Sequence, residues 1–255
     1  IKCSQPDHLV TFSSHAMPFA ALEDLGFWDP AIVSEDSRIF WQCYLRYDGN
    51  YRVVPLYTTV SMDVTRSRTL LSTIVSQYKQ KRRWAWGIEN FSYIAREFLR
   101  APRIPFGKKL RHCLVMLEAW RSWATTSIIL AGLGWIPVLF GNAEFQRTML
   151  AFNLPRVTQT ILTIGMTGLL PNMILSLFLL PSPPPGPPKR KHLWMILQWL
   201  LVPFISWFLG SLPAIDAMTR LMLGKYLSFW VTPKVREAQA PILARPVALA
   251  SVRSR

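Results

Sequence analysis

Apolar and polar positions alternate in two different ways along this chain. In the first hundred residues the apolar stretches are short and broken. Residues 11–19 read as a mixed strand or loop, and 20–25 as a short helix stopped by Gly26. Ser34 can N-cap a helix over 35–47, in which Phe40, Cys43, Tyr44 and Tyr47 fall on one stripe and Gly49 closes the last turn. Residues 51–62, rich in Val, Thr and Tyr, predict one or two strands despite Pro55. Thr69 then opens a helix with Leu70, Leu71, Ile74, Val75 and Tyr78 on one side. This alternation predicts the second half of an α/β domain over 1–104.

Beyond it the pattern changes. Residues 122–143, 157–188 and 193–215 contain no charged side chain. A bilayer core about 30 Å thick needs roughly 20 apolar residues as a helix, so membrane helices are expected at about 120–141, 156–180 and 193–213. A soluble core helix seldom stays charge-free for so long, because one face usually meets water. Residues 106–120 alternate Lys108, Lys109, Arg111 and His112 with Leu110, Leu114, Val115 and Leu117, which predicts an amphipathic interface helix with its basic face towards anionic lipid. The same stretch also reads as the solvated first turns of the membrane helix that follows.

The linker 181–188, almost all Pro, reads as polyproline II. It leads into Lys189-Arg190-Lys191-His192, which the positive-inside tendency puts in the cytoplasm, whereas 141–155 holds only Glu144 and Arg147 and suits an external loop. The tail, 233–255, is basic. Either residues 218–230 help return the chain, or the last run bends at Pro203 and Pro213 without a full crossing.

Composition sharpens this picture. The 255 residues are 51% hydrophobic, include 11 Trp, and carry a net charge of +15. A nucleic-acid binder would spread such charge over a soluble surface. Here eight of the 14 acids lie before residue 64, while 77–112 carries ten Lys/Arg against two Glu, a segregation that favours membrane lipids and no nucleic acid as partners. Cys3, Cys43 and Cys113 have neither metal-ligand nor disulfide-framework spacing, so reduced thiols are expected. Opening at Ile1 without an initiator Met, the chain reads as a piece of a longer protein.

Three short motifs could carry chemistry. Ser34-Glu35-Asp36 sits at a helix N-terminus, where exposed N–H groups and the helix dipole favour ionised carboxylates, and such a carboxylate can take a proton from a hydroxyl. First-turn acids also serve as plain caps. In Gln80-Lys81-Arg82-Arg83-Trp84, the helical period turns Gln80, Arg83 and Trp84 to one side, offering an amide, a guanidinium for a diphosphate and an indole plane for a sugar ring. A juxtamembrane basic cluster would look similar. Phe229-Trp230-Val231-Thr232-Pro233-Lys234 offers Thr232 and Lys234 to phosphate, or an aromatic-belt end with a basic anchor.

In that order, with membrane runs between the second and third motifs, the chain from about residue 10 to 236 resembles the membrane-integrated family 2 glycosyltransferases, such as cellulose and hyaluronan synthases. The Gly26-Phe27-Trp28-Asp29 approach to the acids is similar as well, and Ser34 replaces the family's Thr. The resemblance implies the C-terminal part of a GT-A-type glycosyltransferase domain followed by interface and transmembrane helices. It implies Asp36 as catalytic base, supported by Glu35, with Gln80, Arg83 and Trp84 binding the nucleotide diphosphate and the terminal acceptor sugar. Phe229, Val231, Thr232 and Lys234 match the family's gating loop.

It further implies a nucleotide-sugar donor, a glycan or lipid-linked acceptor, and a divalent metal (Mg2+ or Mn2+) whose Asp-x-Asp ligands would lie upstream, leaving this piece inactive alone. The implied location is a cell membrane, such as a bacterial inner membrane, with several passes and a cytoplasmic catalytic part. The competing function is a non-enzymatic transporter or scaffold. Transporters usually carry ionisable or broken-helix residues within their spans; these runs hold no charge, although Pro137, Pro171 and Pro203 are potential breaks.

Overall fold

The computed structural model describes residues 9–12, 14–56, 65–179, 194, 196–228 and 230. Its helices are α1 (Phe19–Asp24), α2 (Glu35–Arg46), α3 (Leu70–Ala85), α4 (Glu89–Arg100), α5 (Phe106–Ile128), α6 (Ile136–Phe140), α7 (Ala143–Gln146), α8 (Met149–Leu179), α9 (Val202–Ile205) and α10 (Leu212–Met222). A 3-10 turn, Trp86–Ile88, joins α3 to α4, and π-helical segments follow α5 at Ile129–Leu133 and α9 at Ser206–Ser211.

No strand forms among the described residues, which overturns the α/β, GT-A-type expectation. The physical reason lies in pairing. A strand is stable only when a neighbour takes its N–H and C=O groups. Residues 51–56 do alternate half-buried and exposed, as their sequence suggests, but everything described around them is helical or irregular. Residues 57–62, the rest of that expected strand, lie outside the described residues, as do the Pro-rich linker and the basic tail.

The helix boundaries follow local chemistry closely. Gly26 and Gly49 take φ of 75° and 80°, past the ends of α1 and α2, and the Gly49 N–H donates to the Tyr44 carbonyl at 2.7 Å. Thr69 caps α3 through a reciprocal box with Ser72. Ser34 occupies the N-cap position of α2, but its hydroxyl makes no capping hydrogen bond and turns elsewhere.

Two cores result. The first gathers Phe40, Trp41 and Tyr44 of α2 with Ile94 and Phe98 of α4 and Ile104, against Cys113 and Met116 of α5. His112 stands edge-on to Tyr44, with ring centroids 4.9 Å apart, and bonds its hydroxyl at 3.1 Å. Lys109 reaches the Phe98 carbonyl at 2.6 Å, satisfying an orphan acceptor in the last turn of α4. The second core joins Val33, just before α2, to Ala85 and Trp86, Ala124 of α5, and Ala214 and Ala217 of α10. Small side chains let these helices approach closely.

α5 spans the expected interface helix, and its basic positions divide, with Lys108 and Arg111 exposed. Lys109 and His112 turn inwards, while Phe106, Leu110, Leu114 and Leu117 form its exposed stripe. It also runs unbroken through residue 120 to Ile128, so no separate span starts there; the π segment and the turn at Gly134-Trp135 then interrupt the first charge-free run.

Among the described residues, two helices are long and apolar enough to cross a membrane: Met149–Leu179 and Gln198–Met222. At 1.5 Å per residue they extend about 46 and 37 Å. The first is exposed on nearly all sides, with only Ala151 and Thr158 buried. The second continues beyond residue 213 to take in Asp216 and Arg220, and residues 194, 196 and 197 ahead of it are helical as well. Pro203 and Pro213 each sit at the start of an α segment, where a missing N–H costs least.

α8 crosses the broken end of α5 at Gly134, where any Cβ would overlap the Thr158 side chain. Gly134→Val is expected to cost roughly 1–3 kcal/mol by overpacking, read as a lower unfolding temperature in detergent, with Gly165→Val, which meets nothing nearby, as the control.

Candidate functional site

The second core sets where the motifs meet. The loop from Gly26 to Val33 enters α2 from beneath the last turn of the membrane-type segment. Phe27 holds a strained φ of 72°, Asp29 Oδ1 accepts the Ala31 N–H at 2.9 Å, and the Tyr226 hydroxyl donates to the Ala31 carbonyl at 2.9 Å. Tyr226 in turn stands edge-on to buried Trp86, with centroids 5.6 Å apart. A Cβ on Gly87 would lie 3.9 Å from Ser34 Cβ and 3.2 Å from the Trp120 ring, so the absence of a side chain there allows the close packing. The start of α2 and the end of α3 are thus neighbours.

At this junction Glu35 and Asp36 are half-buried. Asp36 Oδ1 accepts the Ser37 N–H at 2.8 Å, and Thr11 Oγ1 holds the Asp36 carbonyl at 2.5 Å. Burial raises the Glu35 carboxyl above the ordinary glutamate value; its own backbone opposes this, the Asp36 charge adds to it, and the Arg83 charge pulls it back. The Arg83 charge thus acts on Glu35. Arg83 Nη1 also donates to the Trp230 carbonyl at 3.1 Å.

Gln80, one turn earlier, accepts from Thr65 Oγ1 at 3.1 Å. Trp84 is 48% exposed, with the Lys81 ammonium 4.3 Å over its ring, and burial lowers the Lys81 pKa. Of the third motif only Trp230 is described, with Lys79 5.4 Å over its ring; Phe229, Val231, Thr232 and Lys234 lie outside the described residues.

Glu35 carries a pH signature. A raised folded value stabilises the fold fully while both states are protonated, below the unfolded glutamate value, and that contribution is lost as pH climbs through the folded value. Glu35→Gln removes the loss. The stability of the variant relative to wild type should therefore rise from acid towards neutral pH in thermal melts, and a fall would contradict the burial of this carboxyl.

Several participants escaped the sequence reading. Asp216 accepts from Arg82 at 2.8 Å, Arg220 at 2.6 Å and the Tyr78 hydroxyl at 3.3 Å, tying α3 to the membrane-type helix. Its position, just past a charge-free run, was the available signal. Arg82 is thereby fixed away from its neighbour Arg83. The Arg82 and Asp216 side chains are only 18% and 24% exposed. Asp216→Ala is expected to cost about 2–4 kcal/mol, because it strands two guanidiniums, and to exceed Arg82→Ala in detergent melts.

Glu89 and Tyr226 were also missed. A cavity of about 440 Å³ between α2 and α4 is lined by Asp48, Glu97, Arg100 and Arg103, none of them a residue of the three motifs. Among the described residues no group of three or more His, Cys, Asp and Glu could hold a metal. No protein-family model, curated protein or solved structure matches this chain.

Proposed function

We propose that this chain serves the transfer of a sugar from a nucleotide-sugar donor to a growing glycan or lipid-linked acceptor, at the cytoplasmic face of a cell membrane that it crosses more than once. One observation carries the reading: Arg83 of the second motif donates to the Trp230 carbonyl at 3.1 Å, and its charge acts on Glu35 of the first, where Gly87 packs against Ser34. The two apolar helices, and the packing of α3 against α10, support a site lying over the bilayer.

In this reading the Asp36 carboxylate removes the proton of an acceptor hydroxyl as its oxygen attacks the anomeric carbon. The bond from that carbon to the diphosphate oxygen breaks with inversion, and its electrons pass to the leaving group. Arg83, joined by Lys234, neutralises the charge that develops there. Trp84 stacks the acceptor ring on the face opposite Lys81, and Gln80 orients a hydroxyl. The Mg2+ or Mn2+ implied by the resemblance finds no ligand group among the described residues, so no step runs through it.

Incubating the full-length protein in membranes with a panel of radiolabelled nucleotide sugars should yield labelled glycan or lipid from one donor. No incorporation from any donor would overturn the proposal.

A further inference from the structure

Beneath the acidic pair lies a buried carboxylate for which the proposed reaction has no use. Glu89, the first residue of α4, is 9% exposed. Its Oε1 accepts from Ser34 Oγ at 2.6 Å, and its Oε2 accepts from Trp86 Nε1 at 3.1 Å. One donor stands two residues before Asp36 and the other two residues after Trp84. Each oxygen therefore holds one of the two motifs. This also explains why the Ser34 hydroxyl makes no cap to its own helix: the carboxylate is its partner instead.

The surroundings hold this acceptor in place. Buried Arg38 lies close enough to Glu89 for mutual attraction, and its guanidinium covers the Tyr93 ring at 4.0 Å. Arg38 Nε donates to Asn90 Oδ1 at 2.5 Å, while Asn90 Nδ2 donates to Ser37 Oγ at 2.9 Å and, more weakly, to Ser34 Oγ at 3.4 Å. α2 and α4 are thus joined by a chain of hydrogen bonds inside a low-dielectric junction, where a satisfied network is stiff.

We propose that Glu89 is a positioning residue: its carboxylate fixes the spacing between Asp36 on α2 and the Arg83-Trp84 end of α3. The inference rests on the sugar-transfer reading. Ground-state contacts to the donor come from side chains other than Glu89, so its loss should act on the reacting geometry. Glu89→Gln keeps the shape and the bond from Trp86, whose indole can only donate, but turns an N–H towards the Ser34 oxygen, so Ser34 must accept where it had donated to a carboxylate and its own proton loses that partner.

The test uses the full-length protein in membranes, with rates expressed per folded molecule. Glu89→Gln should lower kcat about 10- to 100-fold, the scale of a 1 Å misplacement, with KM for the nucleotide sugar within about twofold. Ser34→Ala should lower kcat comparably, and the double variant should be no worse than Glu89→Gln, because both act through the single Ser34–Glu89 contact. Wild-type kcat in Glu89→Gln, or losses that multiply in the double variant, would overturn the role. If Glu89→Gln does not accumulate, Ser34→Ala, which leaves the Trp86 bond in place, carries the same kcat test. Absence of turnover in the wild type would instead remove the sugar-transfer reading, and this inference with it.

Discussion

Asp36→Asn is expected to lower sugar-transfer turnover by about 10²–10⁴-fold, the span a positioned general base contributes. The substitution suits the test because it alters little else. Asp36 Oδ1 accepts the Ser37 N–H, and the Asn amide oxygen can occupy the same place. The Thr11 hydroxyl grips the backbone carbonyl, which does not change. Membrane insertion and the unfolding temperature should therefore stay close to wild type while labelled product disappears. Turnover within a few fold of wild type would remove Asp36 from its role. Glu35→Gln should be milder, since the neighbouring carboxyl modulates the site without receiving the proton.

How legible the fold was depended on the range of the interaction concerned. Gly26, Gly49 and Thr69 mark helix ends through φ and capping chemistry within a few residues, and the helices begin and stop where those residues say. Of the apolar stripe Phe40, Cys43, Tyr44 and Tyr47, the first three are buried as the period requires and Tyr47 is half-buried. Strands over 51–56 were not recoverable in the same way, since β-propensity describes a side chain's fit to a sheet and cannot supply the partner. In α5, Lys108 and Arg111 are exposed, but two of its other basic positions were not legible for a related reason. Lys109 and His112 look like lipid-facing cations until α4 offers a carbonyl and α2 a phenol, both tertiary facts. In α3, Leu70 and Leu71 form the expected apolar side, yet they remain 78% and 72% exposed.

The site divides similarly. Residue types and helical spacing put Gln80, Arg83 and Trp84 on one helix beside a plausible acidic pair. Nothing in that spacing says that Arg82, the adjacent cation, is taken by Asp216 more than 130 positions later. Ser34 reads locally as a cap, whereas its hydroxyl goes to Glu89. Buried polar groups choose their partners from the whole fold, because leaving one unpaired costs more than a local preference gains. That is why Glu89, one of only two acids in a basic stretch, drew no notice from sequence.

Arg83→Ala should weaken nucleoside-diphosphate binding by about 10- to 100-fold, in line with the loss of a charge-assisted contact. The comparison with Arg83→Lys decides what the guanidinium contributes. Lysine keeps a positive charge near Glu35 but cannot reproduce a planar fork that holds the Trp230 carbonyl and a phosphate oxygen together. Lysine should hence recover part of the binding and less of the turnover. Alanine also removes the charge that pulls the Glu35 carboxyl downwards, so the pH-dependent stability loss should shift to higher pH in this variant. Two independent readouts then bear on one side chain: product inhibition by the diphosphate, and the pH profile of unfolding. Unchanged product inhibition would take Arg83 out of the diphosphate site, and an unmoved profile would separate it from Glu35.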